Sequence, residues 1–274
     1  ISHQGYVKRL PTDTFREQGR GGRGITGDET KDGDFSEHIF VASTHDDLLC
    51  FTDSGRVFKM KVYQIPEATR TSKGRAIVNL LQLKEGETIV TFRSIKDFEK
   101  CQDNLVFATS LGRVKRTAVS EYRNVNRGGI NAIKLNDGDS LIDVIKTQGE
   151  SHVLLGTSTG MSIRFVETDA RLMGRAAAGV KGISLAEGDK VVGCVLAEDD
   201  ADLMTMTQNG YGKRTPMLEY LVHSKDGSTR AQSRGGKGRR DIQTGDRNGL
   251  VADIRTVRDS DSLMFITANG MLVR

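Results

Sequence analysis

Apolar positions along this chain gather in short runs broken by turn residues, not in long stripes at helical spacing. The runs beginning at His45, Asn104, His152, Asp202 and Ser262 each supply four to six strand-forming positions. That length suits a strand and is too short for a helix. Each run leads into a glycine-centred turn, at Ser54-Gly55, Leu111-Gly112, Thr159-Gly160, Asn209-Gly210 and Asn269-Gly270. Glycine supplies the positive φ that a tight hairpin demands. The second strand of each predicted hairpin carries a base expected to be exposed: Lys8, Lys59, Lys115, Arg164, Lys213 and Arg274.

The hairpins recur. Their glycines, Gly5, Gly55, Gly112, Gly160, Gly210 and Gly270, are separated by 50, 57, 48, 50 and 60 residues. A second landmark follows each unit at similar spacing, an acidic turn between strands: Leu83–Val90, Leu135–Ile145, Leu185–Leu196 and, more loosely, Thr244–Ile254. A unit of about four strands is the size of a propeller blade. Such a unit cannot bury both faces alone, so neighbours must stack. The pattern predicts one all-β domain over residues 1–274 built of six repeats, the terminal ones incomplete. The first copy lacks its preceding strand and the last stops after its hairpin, so either the termini exchange strands or one blade is unfinished.

Composition narrows the chemistry. Three cysteines without a CxxC pair argue against a disulfide framework or zinc ribbon and fit a reducing cytosol. The five histidines form no metal motif, so no metal ligands are assigned. No apolar run approaches membrane-spanning length, and the start lacks both an initiator Met and a signal-peptide core, which suggests a soluble piece of a longer protein. Aromatics make up 5% of residues and Trp is absent, which argues against single-strand stacking platforms.

A third element, rich in glycine and bases, lies between the two landmarks: Glu17–Gly27, Thr71–Asn79, Val125–Leu135, Met173–Ile183 and Ala231–Asp241. Glycine lets backbone N–H groups approach an anion, and guanidinium forks grip phosphate bidentately. The net charge is only +4, so a polyanion would require the bases to be segregated from an acidic remainder. A ring of blades would set these loops along one rim as a row of phosphate contacts. The bases expected there are Lys8, Arg9, Lys59, Lys73, Arg75, Lys115, Arg116, Arg127, Arg164, Arg175, Lys213, Arg214, Arg234, Lys237, Arg239 and Arg240. The glycine pattern Gly19, Gly21, Gly24 mimics a dinucleotide fingerprint but lacks the flanking strand and helix. No P-loop or GxSxG elbow is present, and paired acids such as Asp46 and Asp47 read as solvated loop charge, so no catalytic residue is assigned.

The segment Gln18–Gly24 resembles the seven-residue Gln-basic-Arg-Gly-Gly-basic-Gly box of the C-terminal domain of the DNA gyrase A subunit. Gln18, Arg20, Gly21, Gly22, Arg23 and Gly24 match it, while Gly19 stands where that family has a base. Segments Gly5–Pro11, Val57–Leu81 and Thr207–Thr215 are similar to the same domain. A second box-like loop, Gln232–Gly238, matches all but Ser233. The resemblance implies a six-bladed β-pinwheel whose blades exchange strands and whose basic rim wraps duplex DNA to direct negative supercoiling. It also implies that the breaking tyrosine, ATP and Mg act elsewhere in a bacterial A2B2 enzyme, in the rest of the gyrase A subunit and in the gyrase B subunit. The domain itself would be cofactor-free, non-catalytic, monomeric, cytoplasmic and nucleoid-associated. Two alternatives accompany it: the related C-terminal domain of topoisomerase IV, and a propeller scaffold binding proteins or a small molecule in an axial channel.

Overall fold

A computed structural model describes residues 1–2, 4–12, 34, 38–69, 72–263, 265–266 and 272–273. Its strands are short and antiparallel, and among the described residues there is no α-helix, only 3-10 turns. In chain order they are β1 (Tyr6–Val7), β2 (Asp47–Thr52), β3 (Arg56–Lys61), β4 (Arg75–Ala76) and β5 (Ile89–Ile95). Next come β6 (Asn104–Thr109), β7 (Arg113–Ala118), β8 (Ile130–Asn131) and β9 (Leu141–Thr147). The following repeat holds β10 (His152–Thr157), β11 (Met161–Val166), β12 (Val180–Lys181) and β13 (Val191–Leu196). The chain continues through β14 (Asp202–Thr207), β15 (Gly212–Pro216), β16 (Val222–His223), β17 (Thr229–Arg230), β18 (Arg239–Arg240) and β19 (Val251–Val257). It ends with β20 (Phe265–Ile266) and β21 (Leu272–Val273).

Sheet order reveals how repeats are joined. The complete sheets run β5-β2-β3-β8, β9-β6-β7-β12 and β13-β10-β11-β18. In each, three strands come from one repeat and the fourth, outermost strand comes from the next. The pair β1-β4 repeats that exchange, and β19-β14-β15 has the three-strand body. Exchange is fastened at the hairpin glycine, whose carbonyl accepts the first amide after the incoming strand: Ile77 to Gly5, Ala132 to Gly55, Gly182 to Gly112 and Asp241 to Gly160, at 2.7–2.8 Å.

The geometry requires a glycine at the entry to each exchanged strand. Gly74, Gly129, Gly179 and Gly238 all have φ between 72° and 79°. A Cβ on Gly74 would sit 2.5 Å from the Val7 carbonyl oxygen, and one on Gly238 would clash with the Ser162 carbonyl. The basic glycine loops of the sequence are therefore strand-delivery devices, a role that the repeat spacing alone does not disclose.

Burial is distributed over joints and not gathered in one centre. One apolar cluster joins the second and third repeats through Leu49, Phe51, Phe107, Tyr122 and Leu141. Another joins the third and fourth through Val106, Val114, Leu155, Phe165 and Cys194. Similar clusters join the first to the second and the fourth to the fifth. Phe51 meets Phe107 at 5.5 Å and Tyr122 at 6.1 Å, both edge-on. Such aromatic pairs contribute about 0.5–1.5 kcal/mol each beyond their burial. Stability thus accrues between neighbours, as in other repeat architectures.

Candidate nucleic-acid interface

Two positions on each hairpin's second strand, three and four residues after the glycine, carry half of the bases predicted for the rim. A strand sends successive side chains to opposite faces. In the second, third and fourth repeats neither face of that strand is free, whereas in the fifth it is exposed. At the first position Lys115 is 0% exposed, and its ammonium donates to the carbonyls of Ala132, Gly174 (3.2 Å) and Arg175 (2.8 Å). Lys8 likewise donates to the Ser72 carbonyl at 2.9 Å, and Lys213 to the Asp241 carbonyl. At the second position Arg164 is 1% exposed, donating to His152 Nδ1, the Met217 carbonyl and the Asp199 carboxylate. Arg116 lies 3.7 Å from the buried Glu167 carboxylate, Arg9 pairs with Glu67 at 3.1 Å, and Lys59 donates to the Arg123 carbonyl. Arg214 is held by Asp202 and Asp259.

The expectation of an exposed hairpin base is therefore corrected for Lys115 and Arg164, which are interior, and for Lys8, Arg9, Lys59 and Arg116, which are half-buried in joints. Lys213 and Arg214 are exposed but committed to carboxylates. In the second, third and fourth repeats the hairpin strand becomes internal once the exchanged strand docks outside it, and its bases meet carbonyls and acids of the adjoining repeat, whereas β15 stays at a sheet edge and Lys213 and Arg214 pair within their own repeat. The buried environment pushes the Lys115 ammonium down to about 7, with the Arg175 charge adding to burial.

The acids of the second landmark also have structural partners. Asp189 accepts from the Ser158 hydroxyl at 2.7 Å and from the Thr159 amide and hydroxyl, stapling the hairpin turn of its own blade. Asp139 does the same to Ser110 and the Leu111 amide, and Glu87 to Thr52, Ser54 and Arg56; outside those landmarks, Asp34 accepts from the Gln4 amide at 2.9 Å. Burial would raise the Asp189 carboxyl, but the Ser158, Thr157 and Thr159 hydrogen bonds hold it below the ordinary range.

The predicted rim bases that are exposed without a carboxylate partner sit on the outermost strands and the loops that deliver them, while other exposed bases, such as Lys84, Lys96 and Lys190, lie elsewhere. Lys73 and Arg75 lie at β4, Arg127 precedes β8, Lys237 precedes β18, and Arg239 and Arg240 form β18; all are exposed, though Arg239 donates to the Glu219 and Leu221 carbonyls at 2.9 and 2.8 Å. Arg175 is half-buried, 3.9 Å from Glu121. The Lys73 ammonium rests 3.8 Å from the Tyr6 ring centre, leaving Arg75 beside it at the sheet edge. Sequence reasoning missed Lys181, an exposed base in β12 at the same place in its repeat. The signal was present: it lies two residues beyond Gly179, as Arg240 lies two beyond Gly238.

The box segment, Gln18, Arg20, Gly21, Gly22, Arg23 and Gly24, lies outside the described residues, as does Arg274. The box-like loop Gln232–Gly238 is described and is a latch. The Gly235 amide donates to the Gly182 carbonyl at 2.6 Å, and the Ser184 amide and hydroxyl donate to the Gly236 and Gly235 carbonyls. Arg234 spends its guanidinium on the Asp169 and Lys181 carbonyls, both at 2.8 Å, so it is a fastening residue, while Lys237 is exposed.

The innermost strands β5, β9, β13 and β19 line a cavity of about 330 Å³ with Arg93, Asp143, Asp253 and Arg255 on its wall. Arg93 pairs with Asp143 at 3.2 Å and Arg255 with Asp253 at 2.9 Å. None of the bases assigned to the rim lines it, which counts against an axial-ligand scaffold. Among the described residues no helix is long and apolar enough to cross a membrane, and no group of three or more His, Cys, Asp or Glu could hold a metal ion.

Antiparallel blades that trade their outer strands define a β-pinwheel, with Arg75, Lys181 and Arg240 exposed on the traded strands. The family model for the DNA gyrase C-terminal domain, a beta-propeller, matches residues 1–43, 46–96, 103–148, 151–198, 201–228 and 230–258, and the chain belongs to that family. Relatives include the DNA gyrase A subunit of Staphylococcus epidermidis, 45% identical over 276 residues, and that of Staphylococcus aureus, 44% identical. All of this chain is covered in both, against 30% of each relative, so it spans about a third of their length. Among solved structures, a C-terminal domain of DNA topoisomerase IV is similar at TM-score 0.80 and 25% identity, covering all of this chain and 81% of that one. A DNA gyrase A C-terminal domain is similar at TM-score 0.76 and 25% identity, covering all of this chain and 86% of that one.

Proposed function

We propose that this chain binds duplex DNA along its traded strands and bends it, acting as the DNA-wrapping domain of a bacterial gyrase. The observation that carries this reading is the outward set Lys73, Arg75, Arg127, Lys181 and Arg240, placed at the same edge of successive blades while the hairpin bases Lys8, Arg9, Lys59, Lys115, Arg116 and Arg164 are drawn into the joints. Bases spaced along a curved perimeter neutralise phosphates in sequence and release their counterions, which gives affinity with little base readout. Sequence preference would then come from how cheaply the duplex bends. The scarcity of aromatic residues favours a duplex over a single strand.

In this reading the domain supplies handed wrapping and no bond chemistry. Breakage, ATP and Mg belong to the rest of the gyrase A subunit and to the gyrase B subunit of the A2B2 enzyme, in the cytoplasm at the nucleoid. The isolated domain is a monomer that needs no cofactor. The box residues Arg20, Gly21, Gly22 and Arg23 contribute to trapping the wrapped segment. The fold likeness to topoisomerase IV favours a second reading as the corresponding domain of that enzyme, and the box of Gln18–Gly24 favours gyrase. Supercoiling against decatenation by the parent enzyme separates the two.

Ligation of nicked plasmid in the presence of this chain tests wrapping. A linking-number shift is expected, and its absence at saturating protein would overturn the reading. Replacing Arg20, Gly21, Gly22 and Arg23 by alanine is expected to reduce that shift more than simple affinity. Equal loss of both would mean that the loop supplies charge alone.

A further inference from the structure

The fifth repeat departs from its neighbours in one connection. From the 3-10 turn to the exchanged strand the chain uses 10 residues before β4, 7 before β8 and 10 before β12, but 18 before β18. The additional residues fold into a ribbon of their own, β16-β17, with Val222 opposite Arg230 and His223 opposite Thr229. The Ser224 amide closes its turn by donating to the Ser228 carbonyl at 2.8 Å. No residue from Val222 to Arg230 is buried.

A two-stranded ribbon without a buried face is marginal in water, so no core burial accounts for its presence. Charge supplies the other half of the argument. Residues 221–240 contain six bases, Lys225, Arg230, Arg234, Lys237, Arg239 and Arg240, against one acid, Asp226. That local excess is larger than the +4 of the whole chain. The single acid is occupied locally, accepting the Ser228 amide at 3.0 Å and its hydroxyl at 2.7 Å. Lys225 at the turn and Arg230 at the ribbon's foot are both exposed.

We propose that the Val222–Arg230 ribbon is a second duplex-contact element, a cationic finger that grips the DNA backbone through Lys225 and Arg230 beside the contacts of β18. The proposal rests on the duplex-binding reading above and adds a site to it. A ribbon is narrow enough to follow a groove wall, and exposed lysine and arginine are the side chains that neutralise phosphate. The finger makes the fifth repeat a stronger holding point than the second, third or fourth, which lack it.

Titration of linear duplex DNA with wild type and with the Lys225→Ala, Arg230→Ala double variant, over a series of salt concentrations, tests this. Two lost phosphate contacts should lower the salt slope by about 1.8 and weaken binding by about tenfold at low salt. Thermal unfolding is expected to be unchanged, since neither side chain is buried. A photo-crosslinker attached to the thiol of Lys225→Cys gives a second measurement, with a crosslink to the duplex expected. Binding by wild type with an unaltered slope in the double variant overturns the finger while leaving duplex binding intact. So does a bound duplex that yields no crosslink from that position. Failure of wild type to bind any duplex overturns the underlying reading itself.

Discussion

Lys115 and Lys181 are neighbours in one four-stranded sheet, yet they differ in every property that matters for binding a polyanion. Lys115 lies on β7, an internal strand, and is fully buried among carbonyls. Lys181 lies on β12, the strand delivered by the next repeat, and is exposed at the sheet's edge. The docking of β12 makes β7 internal, and the loop that delivers β12 brings the Gly174 and Arg175 carbonyls to Lys115. Strand exchange therefore sorts the bases into two populations: one fastens repeats together, the other faces outward. For Lys115 and Lys181, position in the sheet decides which.

The largest way to break this arrangement is to block delivery. Gly238 combines φ of 74° with a Cβ position that collides with the Ser162 backbone, whereas Gly188 has φ of 76° and open space around it. Alanine at Gly188 meets only the left-handed backbone cost, about 1 kcal/mol. Alanine at Gly238 must also push β18 off β11, and a loss of about 3 kcal/mol is expected. Urea unfolding of the two variants checks the ranking. Equal losses would mean that exchange carries no more strain than an ordinary turn.

A smaller effect reads the inward population through pH. Lys115 is held at about 7 in the fold against an ordinary 10.5. Between those values the unfolded chain binds more protons than the folded one, so stability rises with pH across that window and the penalty is greatest below it. The slope contributed by one such group approaches about 1.4 kcal/mol per pH unit. Lys115→Met should flatten the rise in unfolding free energy measured between pH 7 and 10, and leave the salt dependence of DNA binding unaltered. A Met variant that keeps the wild-type pH slope would place the titration elsewhere.

Much of the fold was legible in the sequence because hairpin glycines and apolar runs obey local rules. The runs at Asn104, His152 and Asp202 are β6, β10 and β14, and the acidic landmarks introduce β5, β9 and β13. Exchange was legible only through the family resemblance. The traded strands are two residues long, and Arg75-Ala76 or Arg239-Arg240 carry no alternation to read. The site was legible in its residue types and misread in its facing. Lys115 and Arg164 look like surface bases because part of what buries them is backbone carbonyl from the next repeat, Gly174 and Arg175 for Lys115 and Met217 for Arg164, which no side-chain pattern reports. The acids Asp139 and Asp189 were legible as turn residues, but not the hydrogen bonds by which they staple the hairpin turns of their own blades.

The smallest expected change in stability belongs to the outward population, and it is the sharpest test of the sorting. Arg75 and Lys181 are exposed on edge strands, and truncating such side chains usually moves stability by no more than about 0.5 kcal/mol. If each meets one phosphate, each alanine variant should lower the magnitude of the salt slope by about 0.9, uniformly over duplex sequences, because a backbone contact carries no base information. The double variant should lose both contributions additively, the two bases lying on sheets of different repeats. Isothermal or fluorescence titration at several salt concentrations, paired with thermal unfolding, measures both quantities on one preparation. A slope that falls for Lys115→Met and stays constant for Lys181→Ala would invert the assignment. The inward bases would then have to leave their carbonyls to reach DNA, and the outer strands would be edges in the structural sense alone.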